Sequence, residues 1–487
     1  MKRLLTLALC ALVATACQDG PTPLGPEGTG TLANFGMLVD AELAGVLATA
    51  NESQALEVIV TFDESATTAA ALTSGIQGAG VGVITFKHLP MAFALATPAQ
   101  ISTIETLAGV QGIYLNSQLE YHNKEGVGSI RADEVHTMGI TGKGVGVAIL
   151  DSGIDGLHAD ISYPTKTVRN VKYVADLHEW VSYGDGPEPN VAAALWVDNV
   201  PVSETSVGHG THVAGTAAGS GTASGGKYTG VAPGAHLIGI GAGDILFIFW
   251  TLAGFDFILE NRAKHNIRVV NNSWGSTGSY DPNHPIVIAS KKAYDAGITV
   301  VFSAGNSGPE QNTMNRYSVS PWVIGVAAGC KLVGEENMAN WQARCPDGRD
   351  KVLASFSSRG IPGDPAIRPD ITAPGVYTVS TRASTGTVMN GLDAQSDLTR
   401  CAIDLTHTAY YTCASGTSMA APHVAGAVAL LVEAAGGNLT PAQALDAITK
   451  TAKPLPGYEQ WEVGAGYLDV KAAVAHVQHP SFNKKKK

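Results

Sequence analysis

The sequence predicts two folded parts, a small α+β unit followed by a larger open α/β domain with a mostly parallel sheet. Apolar runs without polar alternation, such as Val145–Leu150, indicate strands that are buried on both faces, as in parallel sheets. Upstream of these runs, strand-like and helix-like segments follow one another in the order βαββαβ, the pattern of a ferredoxin-like unit. A chain of 487 residues with 45% hydrophobic and 15% charged residues has room for both parts.

The N-terminus has the three parts of a secretory signal. Two basic residues precede the apolar run Leu4–Val13, and small residues follow it before Cys17. We therefore predict a signal peptide over residues 1–16 and export to the cell envelope or the outside. The small residues before Cys17 also resemble a bacterial lipoprotein box, in which Cys17 carries a lipid, although Ala14 stands where that motif usually has Leu. Lipidation and ordinary cleavage both remain open at this point.

The small unit is predicted over residues 53–123, after a tether and linker over residues 17–52. The first part of this linker, from Gln18 to about Gly30, is rich in Gly, Pro and Thr and is predicted to be flexible. It should end in the polar stretch Tyr121–Gly126. Acidic and histidine residues are scattered within it, so no chemistry is predicted there. Its expected strands are Ala55–Phe62, Gly82–Phe86, Met91–Ala96 and Val110–Leu115, and its expected helices are Glu64–Ser74 and Pro98–Leu107.

The larger domain is predicted over residues 124–480, with a basic tail at 481–487. Functional groups in open α/β sheets collect beyond the carboxyl ends of the strands. Asp151 follows the first expected strand, Ser273 follows the second, and Asn306 comes shortly after the third. The expected strands are Val145–Leu150, Ile267–Asn271, Ile298–Phe302 and Trp322–Ala327.

Charge and hydropathy limit the classes of partner. The net charge of −11 argues against nucleic acid or an anionic membrane as the main partner. The apolar segment Ile245–Leu259 is too short to span a bilayer and is interrupted by Gly254 and Asp256, so it is predicted to be a helix packed on the sheet. Membrane contact is therefore expected only through a lipid on Cys17.

Four cysteines lie outside the signal region: Cys330, Cys345, Cys401 and Cys413. An even number in an exported protein suggests disulfides, and four cysteines allow three pairings. We favour Cys330 with Cys345 and Cys401 with Cys413, since each pair closes a short loop. Metal binding is the weaker interpretation, because the cysteines form no CxxC pair and have no neighbouring histidine cluster.

The stretch from Ser415 to Leu431 is interpreted as a loop leading into a buried helix. Val424, Val428 and Leu431 fall on one helical stripe among Ala and Gly residues. Free N–H groups and the helix dipole at its start would favour negative charge beside Ser418, which suits an attacking serine. The alternative is that Thr417 and Ser418 only cap the helix.

Four motifs together decide between these interpretations. They are LDSGID from Leu150, GHGTHVAG from Gly208, SAGNSG from Ser303 and SGTSMAAPHVAG from Ser415. In this order they resemble the subtilisin family of serine proteases, and the resemblance extends from Gly139 to Ala473. It implies a three-layer subtilisin-like fold, and the βαββαβ unit resembles the inhibitory propeptide of that family.

The resemblance implies that Asp151, His209 and Ser418 are the catalytic triad, with Asn306 and the N–H of Ser418 as the oxyanion hole. The chemistry requires these groups: a serine hydroxyl needs an imidazole to accept its proton, and the imidazole needs a carboxylate to orient and stabilise it. His212 and His423 are expected to be structural residues of helices. Asp155, His158 and Asp160 are expected to make turn and surface contacts, and Thr417 is expected to cap its helix.

The same resemblance makes Ser273, Trp274 and Gly275 one wall of the substrate pocket and Ser303, Ala304 and Gly305 another. An apolar or broad preference is expected, because Ser307 stands where many relatives have an acidic residue. Ser203–Val207 lacks the Asp that relatives often place before the histidine. No cofactor is expected for catalysis, and calcium is only a family expectation, since the sequence has no compact Asp-rich loop.

The sequence thus predicts a secreted serine endopeptidase that is made as a self-processed zymogen, acts on protein or peptide substrates, and is inhibited by its own propeptide until a cut near Tyr121–Gly126. A catalytically silent binding module and a peptide ligase are the two alternatives.

Overall fold

The computed structural model describes residues 38–39, 41–63, 65–85, 91–115, 125–173, 196–243, 248–331, 352–385, 389–390, 397–398, 401–480 and 482. The predicted signal peptide, Cys17 and Cys345 lie outside these residues. The chain divides into two compact units, a smaller one within Pro21–Glu120 and a larger one within Tyr121–Lys487.

The smaller unit contains a four-stranded sheet in the order β2-β3-β1-β4, with every neighbouring pair antiparallel. Its core contains Val58 and Val60 of β1 together with Ile101 and Ile104 of one helix. Its elements are α1 (Ala41–Leu47), β1 (Leu56–Phe62), α2 (Ala69–Gly78), β2 (Val83–Thr85), β3 (Met91–Ala96), α3 (Pro98–Glu105) and β4 (Val110–Leu115). From β1 onward the order is βαββαβ.

The first helix of that order begins later than the sequence suggested. The predicted helix is present as α2, but its predicted start at Glu64 is wrong, because Asp63 accepts hydrogen bonds from the N–H and the hydroxyl of Ser65 and so holds a turn there. Thr68 then caps the helix by accepting from Ala71 N at 3.2 Å.

The larger unit is built on an eight-stranded sheet in the order β12-β11-β10-β9-β5-β8-β6-β7, in which only β7 pairs antiparallel. Its strands are β5 (Gly146–Asp151), β6 (Thr167–Tyr173), β7 (Trp196–Val197), β8 (His236–Gly241), β9 (Ile267–Asn272), β10 (Thr299–Ser303), β11 (Val323–Gly329) and β12 (Ile371–Pro374). A separate antiparallel pair joins β13 (Thr378–Thr381) and β14 (Tyr411–Ala414). The predicted mostly parallel sheet is confirmed.

Helices cover both faces of this sheet. They are α4 (Glu125–Ser129), α5 (Ala132–Thr137), α6 (His209–Ala218), α7 (Ile248–Asn261), α8 (Pro285–Asp295), α9 (Thr417–Ala434), α10 (Pro441–Lys450), α11 (Gln460–Val463) and α12 (Val470–Gln478). Val147 and Ile149 of β5 belong to the core under α6 and α9, whereas Ala148 and Leu150 belong to the core under α7 and α8. The strand is therefore buried on both faces, as its unbroken apolar run predicted.

Helix α9 runs through the middle of one face. It is long and apolar enough to span a membrane, but 83% of it is buried inside the protein, as expected of a core helix. Helix α7, the segment that prompted the membrane question in the sequence, packs on the opposite face of the sheet.

The Cys401–Cys413 disulfide is present and closes the loop that ends in β14. Cys330 is also disulfide-bonded. The pairing favoured for it involves Cys345, which lies outside the described residues.

Close packing of α9 against α6 generates a first prediction. A Cβ on Gly426 would lie 2.6 Å from the carbonyl oxygen of Ala217 in α6 and 2.6 Å from Val231. Although Gly→Ala in a helix usually stabilises by about 1 kcal/mol, Gly426→Ala should lower the free energy of unfolding by roughly 1–3 kcal/mol through overpacking. Thermal or urea unfolding measures it.

The matched control is Gly128→Ala in α4, where the nearest atom to a new Cβ is 3.8 Å away. This variant should be neutral or stabilising. Equal effects of the two substitutions would show that the α6–α9 contact is not tight.

Candidate active site

The carboxyl ends of three adjacent parallel strands define the candidate site. Asp151 is the last residue of β5, Ser273 follows β9 directly, and Asn306 comes three residues after the end of β10. β9 lies between β5 and β10, so these residues lie along one edge of the sheet.

Asp151 and His209 form a hydrogen-bonded pair. His209 is the first residue of α6, and its Nδ1 lies 2.7 Å from Asp151 Oδ1. The side chain of Asp151 is 2% exposed and that of His209 is 20% exposed. A Cβ on Gly210 would lie 2.3 Å from the carbonyl oxygen of Gly153, so glycine is required for α6 to start this close to β5.

The environment favours the protonated form of His209. Burial alone opposes the charge, but the pKa of His209 is raised, because the negative charge of Asp151, the hydrogen bond that the imidazole donates to Asp151 and the charge of Glu204 together outweigh that penalty. Such an imidazole can accept a proton and keep it during a reaction step, as a general base requires.

Ser418 is the second residue of α9 and is half-buried. Its Oγ donates to the carbonyl oxygen of Ser273 at 3.0 Å, and Ser273 Oγ donates to the carbonyl oxygen of Ser418 at 2.8 Å. The hydroxyl of Ser418 is thus directed to Ser273 and not to His209 in this structure. Hydrogen bonds to a catalytic base commonly tighten only when substrate is bound.

Asn306 lies beside the start of α9. Its Oδ1 accepts from the N–H of Thr417 at 2.9 Å and from the hydroxyl of Thr417 at 2.8 Å. The N-cap of α9 is Gly416, so the prediction that Thr417 caps the helix is wrong. The Thr417 hydroxyl instead joins Asn306 to the N–H of Gly305, from which it accepts at 3.2 Å.

The two segments predicted to line a substrate pocket are held together by Asn315, which sequence reasoning missed. Asn315 Nδ2 donates to the carbonyl oxygens of Trp274 at 3.0 Å and Ser303 at 2.9 Å. A Cβ on Gly275 would lie 2.1 Å from that nitrogen, so the first segment needs glycine to pack there. Nothing in the local sequence distinguishes Asn315 from a surface asparagine.

The first segment is further fixed by Trp274. Its Nε1 donates to the carbonyl oxygen of Leu150 at 2.7 Å, and its ring meets that of Phe302 edge-on at 5.0 Å. In the second segment Ser303 and Ala304 are buried, and Gly305 has a φ of 103°, which favours glycine.

Glu204 is a second residue of the site that the sequence did not reveal. It is 2% exposed, and its carboxylate accepts from the N–H groups of Gly208 at 3.1 Å and Thr211 at 2.9 Å and from the Thr211 hydroxyl at 2.6 Å. Burial raises the pKa of Glu204 despite these donors. Ser203–Val207, which was singled out in the sequence only because it lacks an Asp, therefore places the Glu204 carboxylate at the start of α6.

His212 and His423 are buried helix residues, as predicted. His212 Nε2 lies 3.1 Å from the carbonyl oxygen of Thr378, and burial, with the nearby His209, lowers the pKa of His212 to about 3. Burial likewise lowers the pKa of His423 to about 4, and its Nδ1 contacts the carbonyl oxygen of Met419 at 2.8 Å. Both imidazoles are neutral at pH 7.

The predicted turn contacts of this loop are confirmed, since Asp155 accepts from the N–H of Leu157 and His158 accepts from the N–H of Asp160, both at 3.1 Å. The predicted surface contacts are wrong, because Asp155, His158 and Asp160 are all buried. Asp155 accepts from the N–H of Ser384 at 2.7 Å, and Asp160 accepts from the hydroxyl of Tyr411 at 2.6 Å. The partners come from a segment more than 200 residues later, which packs over this loop and cannot be located from the local sequence.

Metal binding has no evident site among the described residues, where no group of three or more His, Cys, Asp or Glu side chains could hold an ion.

Removing the Glu204 carboxylate should destabilise the larger unit. Glu204→Ala leaves the buried N–H groups of Gly208 and Thr211 without their acceptor, at a cost of about 1–3 kcal/mol for each group. The expected loss is roughly 2–6 kcal/mol in chemical unfolding. Glu204→Gln keeps one acceptor oxygen and should lose less.

The control for this experiment is Glu310→Ala, since Glu310 is exposed. It should change the free energy of unfolding by less than about 0.5 kcal/mol. A Glu204→Ala protein as stable as this control would show that the carboxylate does not hold the start of α6.

Comparison with known proteins agrees with this geometry. The family model of the subtilase family matches residues 142–471. The chain is 30% identical over 410 residues to serine protease AprX of Bacillus subtilis (strain 168), covering 80% of each protein. It is 30% identical over 356 residues to subtilisin of Bacillus pumilus, covering 72% of this chain and 97% of that protein.

Among solved structures, sphericase has a TM-score of 0.50 at 24% identity, covering 68% of this chain and 92% of the sphericase chain. This likeness supports the three-layer α/β fold of the larger unit. The chain therefore belongs to the subtilase family and is a serine endopeptidase of the subtilisin type.

Proposed function

We propose that the chain is an exported endopeptidase that hydrolyses peptide bonds through Asp151, His209 and Ser418, and that it is made as a self-processed zymogen. The observation that carries the proposal is the 2.7 Å hydrogen bond between Asp151 and His209 at the sheet edge where Ser418 also lies. This is the orienting half of a serine-protease triad.

The first step transfers the proton of Ser418. Its hydroxyl turns from the carbonyl oxygen of Ser273 to His209 Nε2, which takes the proton as Oγ attacks the carbonyl carbon of the substrate. The carboxylate of Asp151 keeps the Nδ1–H tautomer in place and stabilises the imidazolium. His209 then gives the proton to the leaving amine. Water attacks the acyl carbon next, and His209 takes a proton from the water and passes it to Ser418 Oγ as the bond between Oγ and the acyl carbon breaks.

Negative charge on the substrate oxygen is stabilised at the start of α9. The proposed donors are the N–H of Ser418, in the first turn of the helix, and the Nδ2 group of Asn306. Because Asn306 Oδ1 is held by Thr417, the amide orientation is fixed before substrate arrives. Preorganised donors of this kind supply a large share of the rate acceleration in acyl transfer.

The substrate is proposed to bind as an extended strand between the two segments joined by Asn315, Ser273–Gly275 and Ser303–Gly305. An apolar or broad preference is proposed for the residue before the scissile bond. The absence of an acid at position 307, where this chain has Ser307, supports it.

The βαββαβ unit is proposed to be the inhibitory propeptide, removed by a cut near Tyr121–Gly126 after export. Its fold supports the proposal, since its described strands pair in one four-stranded antiparallel sheet with the predicted βαββαβ order. If Cys17 is lipidated, the cut also frees the catalytic unit from the membrane. No catalytic role is assigned to calcium or any other cofactor.

Substitution of Ser418 tests the function. Purified wild-type precursor should shorten to the mature size, digest casein and react with a fluorophosphonate probe, whereas Ser418→Ala should do none of these, because it lacks the nucleophile. Ser162→Ala, in a loop before β6, is the control and should behave as wild type. Shortening of purified Ser418→Ala would argue against self-processing, and casein digestion by it would argue against the nucleophile.

The pH profile tests the Asp151–His209 pair. Protonated His209 cannot accept the Ser418 proton, so kcat/KM should fall as the pH drops through a pKa above the usual 6.5 of histidine. Asp151→Asn removes the charge that raises this pKa and also disturbs the tautomer, so its acid limb should lie at lower pH and kcat should fall by about 10⁴-fold.

The control is Asp295→Asn on the exposed side of α8, whose profile should match wild type. Retention of the wild-type acid limb in Asp151→Asn would mean that another group controls activity at low pH.

A further inference from the structure

A missing helical hydrogen bond lies directly at the proposed nucleophile. In an α-helix the carbonyl oxygen of each residue accepts from the N–H four residues later. The partner of the Ser418 carbonyl would be residue 422, which is a proline inside α9 and has no N–H. Ser418 is half-buried, whereas its neighbours Thr417 and Met419 are buried, and its freed carbonyl is bound by a partner from elsewhere in the protein.

Ser273 supplies this partner. Its Oγ donates to the Ser418 carbonyl oxygen at 2.8 Å and accepts from Asn271 Nδ2 at 2.9 Å. Asn271 is fully buried, and Ser273 is 4% exposed. Since a serine hydroxyl has one proton, the Asn271 donor directs that proton to the Ser418 carbonyl.

The same serine also holds the nucleophile by its hydroxyl, through the 3.0 Å bond from Ser418 Oγ to the Ser273 carbonyl oxygen. Ser418 is thus held at its carbonyl and at its hydroxyl by one residue. Asn271 belongs to β9, which is paired on both sides with β5 and β10. The first turn of α9 is therefore anchored to β9, a strand in the interior of the sheet.

We propose that Asn271 and Ser273 are positioning residues that replace the N–H missing at Pro422 and so fix the Ser418 peptide for catalysis. The inference rests on the proposed function of Ser418. Freed carbonyls at a helix proline tilt outward and bend the helix. Without the Ser273 hydroxyl, such a tilt would move both the Ser418 Oγ and the N–H proposed to bind the oxyanion.

The test is a double-mutant cycle between positions 273 and 422. Ser273→Ala removes the hydroxyl and keeps the backbone carbonyl that accepts from Ser418. We expect kcat for a chromogenic peptide amide to fall about 10-fold, the upper range for one hydrogen bond, with KM changed less than about twofold. Titration of the active sites with a fluorophosphonate gives the concentration of active enzyme from which kcat is calculated. Thermal unfolding shows whether each variant is folded.

Pro422→Ala restores an N–H that can bind the Ser418 carbonyl within the helix. In a Pro422→Ala background, Ser273→Ala should therefore lower kcat by less than about threefold, whatever the activity of Pro422→Ala alone. Asn271→Ala should lower kcat in the same direction as Ser273→Ala and add little to it. Ser273→Thr keeps the hydroxyl and should lose less kcat than Ser273→Ala.

Two results would overturn the inference. A rise in KM with unchanged kcat would make Ser273 only a wall of the substrate pocket, and an equal loss of kcat in both backgrounds would mean that Pro422 and Ser273 are not coupled. These results are separate from failure of the proposed function, which would appear as full activity of Ser418→Ala.

Discussion

Parallel pairing of β5, β9 and β10 is the constraint on which the site depends, because it brings three strand ends to one edge of the sheet. Asp151 is fixed by this pairing directly, whereas His209 and Ser418 lie on helices and depend on how α6 and α9 pack. The far end of α9 is also tied to the segment just before β5: one oxygen of Glu433 accepts from three successive N–H groups, of Thr141, Gly142 and Lys143, at 2.6–3.0 Å. The helix is thus held at both ends relative to the strand that carries Asp151.

Four strands of the large sheet, β5, β9, β10 and β11, were predicted because each contains a run of apolar residues, and the parallel sheet followed from that pattern. Strand β6 was not predicted, since it carries Arg169, Asn170 and Lys172 among its apolar residues. The residues proposed for catalysis were predictable because each lies in a short motif. Sequence failed where a residue's partner is distant, as for Asp160, whose partner Tyr411 lies 251 residues later. It also failed for Glu204, because the residues around a glutamate do not show whether its carboxylate is buried or solvated. Only the packing of α6 against it makes Glu204 a buried residue.

Both helices that present proposed catalytic residues begin without a side-chain cap of their own. The N-caps are Gly208 for α6 and Gly416 for α9. Glycine allows the chain to come close to the sheet edge at these points, but it leaves the first N–H groups without the acceptor that Ser, Thr or Asp would provide. The acceptors come instead from elsewhere in the fold, from Glu204 for α6 and from Asn306 for α9.

This arrangement gives each acceptor two tasks. Glu204 accepts from the first turn of α6 and adds to the negative charge that raises the pKa of His209. Asn306 accepts from Thr417 with its oxygen, which leaves its nitrogen for the proposed oxyanion site. Since the acceptors reach the helix starts only when sheet and helices are packed, the helix starts and the site must form together. Assembly of the site is then a consequence of tertiary folding and not of local helix formation.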